Sequence, residues 1–377
     1  MKTLTNSFIR NHMAGKKILL TFAICIAGLA SSAKSTNPDQ KNDKFLVMAY
    51  YAGNESAIDQ FDLSGLTHII YSFCFLEGNR MIIPENRIPV VKKLASLKNE
   101  YPGLKIILAL GGWGGCETCS DVFSSVSGRS EFAVSVKELM QIYNVDGIDL
   151  DWEYPAIPGY PGHPYKPEDR RNFTLLVREL RNTLGNDYEI GFAAGGFPRF
   201  FNESVEWDQV MPLVDYVNIM TYDLVAGGPT TGHHTPLYSR PEQSLSVDFA
   251  INYLDSIGVD RSKMIIGAAF YGRAWENVPD IQNGLFQPGT FKTAITYKDL
   301  PGWISENGLT EMWDEKASAP FAYSSEKGLF VTFDNPVSVG LKTRYAKENG
   351  LAGIMFWQLG GDSPVNGLLE SIFRELE

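Results

Sequence analysis

One stretch of the chain constrains the fold more than any other. It reads Asp146-Gly147-Ile148-Asp149-Leu150-Asp151-Trp152-Glu153-Tyr154-Pro155. Successive side chains of an extended strand point to opposite faces, so Asp149, Asp151 and Glu153 share one face and the apolar residues between them share the other. The alternation therefore predicts a strand that buries one apolar face and presents three carboxylates on the other.

Carboxylates crowded in this way are costly, because like charges repel and burial removes their hydration. Catalysis offers a compensation, since crowded acids can share a proton and keep one carboxyl protonated near neutral pH as a general acid. A calcium-binding acidic loop or a solvated charged edge is the alternative. The apolar residues between the acids favour a buried strand over a flexible cation cage.

The rest of the chain alternates strand-like and helix-like segments. The β-rich runs around the acidic strand are Phe45–Tyr51, Thr67–Phe75, Lys105–Leu110, Tyr188–Ala194, Val214–Thr221, Met264–Phe270 and Leu351–Trp357. The segments with helical apolar spacing or capping signals are Ile88–Tyr101, Ser130–Tyr143, Glu168–Leu184, Glu242–Ile257, Val337–Asn349 and Val365–Leu376. Eight strands in this alternation predict an α/β fold, a (β/α)₈ TIM barrel.

Residues 275–335, between the seventh strand and its helix, are too many for a loop in a compact domain. They contain two strand-like runs, Phe291–Tyr297 and Gly328–Phe333. We therefore expect a small α+β insertion domain that walls one side of the site.

The first 33 residues have the composition of a secretion signal. They carry four basic residues and no acid, and the uncharged run Ile18–Ala30 leads into small residues ending at Ala33. That run is too short for a membrane anchor, so we expect a secreted protein, extracellular or periplasmic, with no membrane insertion after signal removal. We expect residues 34–43 to form a polar, disordered lead-in and residues 44–377 to form the catalytic barrel.

The chain is acidic, with a formal net charge of −11, and removing the four basic residues of 1–33 makes it −11 − 4 = −15. This charge argues against nucleic acid as a partner and suits a neutral or cationic polymer. We expect a monomer. Cys116 and Cys119 form a Cys-x-x-Cys, for which a local disulfide is the preferred interpretation in an exported protein. The adjacent histidines 233 and 234 are poor metal ligands, because neighbouring side chains rarely aim at one ion.

Acids and aromatic residues fall at the predicted carboxyl ends of the strands, where barrel enzymes place their chemistry. These strand-end residues are Tyr50, Trp113, Glu153, Tyr222, Asp223 and Trp357. Flat rings that stack on sugars, together with carboxylates, are typical of a carbohydrate site. Asp151 and Glu153 lie on one strand and cannot straddle an anomeric carbon. The nucleophile could instead be an N-acetyl group of the substrate, with Asp151 holding the amide and Tyr222 donating to its oxygen.

The acidic stretch resembles the DxxDxDxE signature of glycoside hydrolase family 18, the chitinases. Further matches in the family's order are Ala109–Trp113, Met220–Asp223, Phe270–Arg273 and Met355–Trp357. The resemblance implies hydrolysis of β-1,4 bonds between N-acetylglucosamine units of chitin or chitooligosaccharides. It also implies retention of configuration through an oxazolinium intermediate, without a metal or an organic cofactor.

Carried over by position, the resemblance makes Glu153 the general acid and later the base. Asp151 positions the acetamide, Asp149 shares a proton with Asp151, and Tyr222 hydrogen-bonds the acetamide carbonyl. Many relatives have Ser where Ala109 stands, touching the acid equivalent to Asp149, which leaves the tuning of that acid open. The candidate substrate-binding residues are Tyr50, Phe73, Gly112, Trp113, Tyr154, Met220, Asp223, Arg273 and Trp357.

Two other functions remain open at this point. An endo-β-N-acetylglucosaminidase acting on N-glycans would use the same acid and the same acetamide chemistry. A catalytically silent lectin on the same barrel would typically lack the acid at Glu153, which is present here.

Overall fold

The computed structural model describes residues 45–377. The predicted signal segment and lead-in, residues 1–33 and 34–43, lie outside the described residues. The strands are β1 (Leu46–Tyr51), β2 (His68–Glu77), β3 (Arg80–Ile82), β4 (Lys105–Gly111), β5 (Gly147–Asp151), β6 (Glu189–Gly195), β7 (Tyr216–Met220), β8 (Met264–Ala269), β9 (Tyr271–Glu276), β10 (Thr290–Thr296), β11 (Thr310–Asp314), β12 (Ala319–Ser324), β13 (Leu329–Thr332) and β14 (Gly353–Trp357).

Most helices follow barrel strands. They are α1 (Ile88–Ser96), α2 (Cys119–Ser124), α3 (Val126–Tyr143), α4 (Asp169–Leu184), α5 (Pro198–Glu203), α6 (Trp207–Val210), α7 (Val247–Ser256), α8 (Leu300–Asn307), α9 (Pro336–Glu348) and α10 (Leu368–Arg374). Within residues 45–377, no helix is long and apolar enough to cross a bilayer.

Eight parallel strands close into a barrel. Around the barrel the order is β1, β14, β8, β7, β6, β5, β4 and β2, and β1 also pairs with β2, which completes the ring. The predicted (β/α)₈ TIM barrel is therefore confirmed. The short strand β3 forms an antiparallel hairpin with the end of β2.

The alternation along β5 divides its side chains between two layers. Ile148 and Leu150 are buried in the large apolar cluster between the strands and the surrounding helices. Asp149 and Asp151 are buried on the other face of the strand, toward the barrel interior. A smaller cluster fills that interior and includes Met48, Tyr50, Ile107, Tyr216, Met220, Ile265 and Met355. The acids consequently rise from the barrel core toward the mouth at the carboxyl ends of the strands.

A second, five-stranded antiparallel sheet lies between β8 and α9 in the chain, in the order β10, β9, β13, β12, β11. It begins at Tyr271, one residue after Phe270 and four before the expected start at Trp275. Helix α8 packs in the same region, with Leu300 and Ile304 buried against the sheet. Because β9 follows β8 so closely, residues early in β9 are held beside the barrel mouth.

Other predicted boundaries were also wrong by several residues. The helix predicted over 242–257 begins at Val247, because the hydroxyl of Ser246 caps it by accepting from the amide of Phe249 at 3.0 Å. The helix predicted from Ile88 to Tyr101 ends at Ser96 and continues only as a 3₁₀ turn. The acidic strand ends at Asp151, so Glu153 lies two residues beyond it.

Candidate active site

Asp149 is fully buried inside the barrel and is held by two donors. The hydroxyl of Tyr50 donates to Oδ2 at 2.7 Å, and the amide of Asn218 donates to Oδ1 at 3.0 Å. Asn218 also donates to the Tyr50 oxygen at 3.1 Å. Burial raises the pKa of Asp149 to about 6, although both donors favour the ionised form and limit the rise.

Ala109 lies beside Asp149 in the register of β4 and β5 and has no hydroxyl to offer. The hydrogen bonds to Asp149 come instead from β1 and β7, through Tyr50 and Asn218. The sequence left the tuning of this acid open, and these two side chains tune it.

Asp151 stands one step nearer the mouth and is 5% exposed. Within the described part of the chain, its Oδ1 is buried without a hydrogen-bond partner. Burial, followed by the charges of Glu153 and Asp149, raises the pKa of Asp151 well above its ordinary value. A buried acceptor of this kind is suited to an N–H group supplied by a ligand.

Glu153 follows the strand and is partly exposed at the mouth. Burial raises the pKa of Glu153 to about 7; interaction with Tyr154 opposes the rise, and the charge of Asp223 adds to it. The carboxyl is therefore poised to hold a proton near neutral pH, as a general acid requires. The ring of Tyr154 packs edge-on against Phe197 and Phe200 at 5.5 and 5.6 Å, which fixes the chain just after Glu153.

Tyr222 and Asp223 follow β7 and meet residues of β9. Arg273 binds both carboxylate oxygens of Asp223 through Nε and a second guanidinium nitrogen, and the Tyr271 hydroxyl donates to the same carboxylate at 2.6 Å. Burial pushes the pKa of Asp223 upward, but His234 and Arg273 outweigh it and hold the pKa below its ordinary value. Asp223 is accordingly an anion whose charge acts on Glu153.

Among the residues that the structure describes, the hydroxyl of Tyr222 donates only to a weak acceptor, the sulfur of Met355 at 3.9 Å. Its ring packs edge-on against Tyr271, with centroids 6.2 Å apart. Burial, together with the charges of Asp151 and Glu153, raises the pKa of Tyr222 well above its ordinary value, so its hydroxyl remains a donor. Met220, 9% exposed, lies in the interior cluster with Tyr222 packed against it.

Trp357 ends β14 and forms an aromatic group with β1 and β2. Its ring is stacked on Phe73 at 5.5 Å with an interplanar angle of 17°, and Tyr50 lies 5.9 Å away. Gly112 completes this corner, because a Cβ there would lie 2.4 Å from the Phe73 ring. Close packing of Phe73 thus requires glycine at position 112.

Trp113 lies on the next loop and is 59% exposed. Its ring centroid is 6.4 Å from that of Tyr154. A disulfide joins Cys116 to Cys119 and closes the same loop. The predicted site residues are therefore gathered at one end of the barrel, with Trp357 and Trp113 in two separate aromatic groups.

Sequence reasoning missed three residues of this site. Asn218 lies in phase with Tyr216 and Met220 on β7, so period-two alternation already pointed it into the barrel. Tyr271 was part of a recognised motif but was given no role. His234 was considered only as a metal ligand, and in the structure it is fully buried with its Nδ1 3.6 Å from Asp223.

The two adjacent histidines turn to different carboxylates, His233 to Asp314 at 3.0 Å and His234 to Asp223. No cluster of three or more His, Cys, Asp or Glu side chains suited to a metal ion occurs among residues 45–377. Asp146 lies at the opposite, amino end of β5, where Lys98 and the Ile106 amide donate to it, both at 2.8 Å. Asp146 therefore has a structural role and is not part of the candidate active site.

A closed parallel barrel with buried acids and aromatic rings at its mouth is typical of barrel enzymes that act on carbohydrates, the glycoside hydrolases. The family model Glycosyl hydrolases family 18 matches residues 46–362, and the chain belongs to this family.

Named relatives and solved structures agree with this assignment. Chitinase A1 of Niallia circulans is 34% identical over 299 residues, which cover 72% of this chain and 42% of that protein. This chain thus matches less than half the length of that relative. The structure of Chitinase ChiA74 from Bacillus thuringiensis has a TM-score of 0.82 and 28% identity, covering 88% of this chain and 69% of that one. A family 18 N-acetylglucosaminidase from Paenibacillus barengoltzii has a TM-score of 0.79 and 33% identity, covering 88% of this chain and 99% of that one.

Proposed function

We propose that the protein is a chitinase that hydrolyses β-1,4 bonds between N-acetylglucosamine units with retention of configuration. The observation that carries the proposal is the buried Oδ1 of Asp151, which has no hydrogen-bond partner among residues 45–377 and lies beside a carboxyl, Glu153, whose pKa is raised to about 7. An amide N–H of the substrate would satisfy the first group, and a glycosidic oxygen would take the proton of the second.

In the first step, Glu153 gives its proton to the glycosidic oxygen as the bond to the anomeric carbon breaks. The acetamide oxygen of the same sugar attacks that carbon and forms an oxazolinium ion. Asp151 accepts the acetamide N–H, and the Tyr222 hydroxyl donates to the acetamide oxygen, so both hold the group in line for attack. In the second step, Glu153 takes a proton from water, which opens the oxazolinium ring from the face that the leaving group vacated.

The pair of aspartates supports the charge that develops on the acetamide. The donors Tyr50 and Asn218 favour negative charge on Asp149, while Asp151 has the more strongly raised pKa. The pair then holds one proton between two carboxyls. When the amide N–H arrives, this shared proton can move toward Asp149 and leave Asp151 as the acceptor.

Trp357 would form the floor under the sugar that reacts, and Tyr50 and Phe73 would hold the indole in place, since both pack against it. Asp223, clamped by Arg273, would bound the same pocket and keep the pKa of Glu153 high through its charge. Trp113 would lie on the leaving-group side, beside Tyr154.

The test replaces the proton donor at nearly constant shape. Glu153→Gln should lower kcat on a chitin hexamer by about 10²- to 10⁴-fold with little change in KM. Glu203→Gln is the matched control, because Glu203 is an exposed glutamate on α5 and its one ion pair within residues 45–377 is with Arg199, four residues away. Normal turnover by Glu153→Gln would overturn the assignment of the acid.

Two further measurements test the nucleophile. Proton NMR of fresh products should show the β-anomer first, and glucose polymers without an acetamide should remain intact. Inverted configuration or equal hydrolysis of glucose polymers would rule out the acetamide mechanism.

Release of single N-acetylglucosamine units is a second candidate, favoured by the likeness to the N-acetylglucosaminidase structure over nearly its whole chain. Product sizes from the hexamer distinguish the two, because a chitinase gives mainly dimers and longer fragments early in the reaction. Release of glycans from a glycoprotein would instead support action on N-glycans. We also propose, from the basic and apolar pattern of residues 1–33, that the protein is exported.

A further inference from the structure

A loop beside the proposed acid carries an exposed aromatic residue that the mechanism does not use. The loop, residues 158–165, lies in the connection between β5 and α4 and is rich in proline, glycine and aromatic residues. Tyr160 on this loop is 40% exposed, and its ring meets that of Trp113 edge-on at 5.6 Å. His163 covers another side of the Tyr160 ring at 4.8 Å.

The ring of Tyr160 is held in place from two directions. A Cβ at Gly159 would lie 2.0 Å from the carbonyl oxygen of Glu153, so the loop packs directly on the backbone of the proposed acid. Gly114, at a φ of +88°, lets the Tyr160 ring approach the Trp113 loop, because a Cβ there would lie 3.1 Å from the ring. The position of Tyr160 relative to Glu153 is thus fixed by backbone contacts.

The neighbouring loop is also constrained. The Cys116–Cys119 disulfide closes it two residues after Gly114, and Lys166 binds Asp121 of α2 at 2.5 Å just after loop 158–165 ends. Exposed aromatic rings on such fixed supports lose little conformational freedom when a ligand stacks on them. Rings of this kind are suited to the C–H faces of sugars.

We propose that Tyr160 and Trp113 together form an outer binding site for the leaving-group part of a chitin chain, with Tyr160 contacting a sugar beyond the one at Trp113. The proposal rests on the proposed function. Trp357 packs with Phe73 and Tyr50, whereas Trp113 packs with Tyr154 and with Tyr160 of loop 158–165. In this proposal, a chain that has its reacting sugar on Trp357 continues past Glu153 to Trp113 and then to Tyr160.

This arrangement predicts a dependence on substrate length. A chitin dimer has a single sugar on the leaving-group side and ends at Trp113. A hexamer extends far enough to contact Tyr160, so only long substrates gain from the second ring.

The experiment compares three variants on the chitin dimer and hexamer. Tyr160→Ala should lower kcat/KM on the hexamer by roughly 3- to 10-fold, the range of one aromatic contact, and leave the dimer unchanged. Tyr160→Phe keeps the ring and should match the wild type. Tyr238→Ala is the control, because Tyr238 is 41% exposed and packs on Tyr345 of α9; it should also match the wild type.

Binding of the hexamer to the Glu153→Gln protein, measured by calorimetry with and without Tyr160→Ala, separates this inference from the proposed function. A 3- to 10-fold weaker Kd with Tyr160→Ala supports the outer site even if the wild type proves inactive on chitin. Equal Kd values for the two proteins, or an equal loss on dimer and hexamer, would overturn it.

Discussion

Tyr50→Phe tests whether the aspartate pair controls the acidic side of the pH profile. The substitution removes one hydroxyl from the barrel interior and leaves the ring packed against Trp357. It deletes the 2.7 Å hydrogen bond to Asp149, and only Asn218 then donates to that carboxylate among the described residues. It also removes the oxygen that accepts from Asn218 at 3.1 Å, so the variant changes the hydrogen bonding around Asp149 while the ring packing is kept.

The loss of a hydrogen bond to a buried charged group costs about 1.5–3 kcal/mol, and this free energy sets the expected change in the pKa of Asp149. This free energy corresponds to a rise of about one to two pH units in the pKa of Asp149, because a change of one pH unit in a pKa is equivalent to 1.36 kcal/mol. In the wild type, Asp149 has a pKa of about 6 and Glu153 one of about 7. Between these pH values the aspartate pair carries one negative charge while Glu153 is still protonated. In the variant the raised pKa of Asp149 reaches that of Glu153. Glu153 then loses its proton over the same pH range in which the aspartate pair gains its negative charge.

The loss of activity in the variant should be greatest at low pH, because of what each ionisation does to the active form. Activity needs one negative charge on the aspartate pair, so it falls as pH drops through the pKa of the pair. With that pKa near 7.5 in the variant, kcat/KM at the optimum should fall about 4-fold and kcat/KM at pH 5.5 about 20-fold, and the optimum should rise by roughly 0.7 pH unit.

The assay is kcat/KM on a chitin tetramer from pH 4 to 9, with Tyr51→Phe as the control. Tyr51 ends the same strand but faces the outer layer, where its hydroxyl donates to the Asn54 carbonyl. An equal loss for Tyr50→Phe at every pH, or an unmoved acidic limb, would refute the link between Asp149 ionisation and rate.

Two predictions concern stability. Asp149→Asn should raise the free energy of unfolding at pH 7 by up to about 3 kcal/mol and leave it nearly unchanged at pH 4, while abolishing activity. The reason is that the pKa of Asp149 is about 6 in the folded protein and 3.8 ordinarily, so the wild-type protein loses stability as pH rises from 3.8 to 6. Urea titrations at pH 4 and pH 7 check this. An equal change in the free energy of unfolding at the two pH values would contradict it. Lys342→Met should cost about 3–5 kcal/mol, because it strands the buried Asp334 carboxylate that Lys342 binds at 2.7 and 2.8 Å. Thermal unfolding should show partial recovery when Asp334→Asn is added, and no loss in the single variant would mean that the ion pair is dispensable.

Much of this architecture could be predicted from local patterns. Strand-like runs alternating with helical spacing identified the eight barrel strands to within a few residues, because period two and period 3.6 are written in neighbouring positions. The acidic strand identified itself for the same reason, since Ile148 and Leu150 alternate with Asp149 and Asp151. Element ends were less accurate, as at Ser246, where a single capping hydrogen bond decided where the helix begins.

The sequence by itself determined the barrel, its family and the acids that face the mouth. Only the tertiary structure decided how those acids are tuned, because the donors to Asp149 lie 99 and 69 residues away in the chain, on β1 and β7. Closing the barrel brings these strands across its interior, and burial there removes the water that would otherwise set the pKa values. Contacts of that range depend on the register of the whole ring, which no local pattern records.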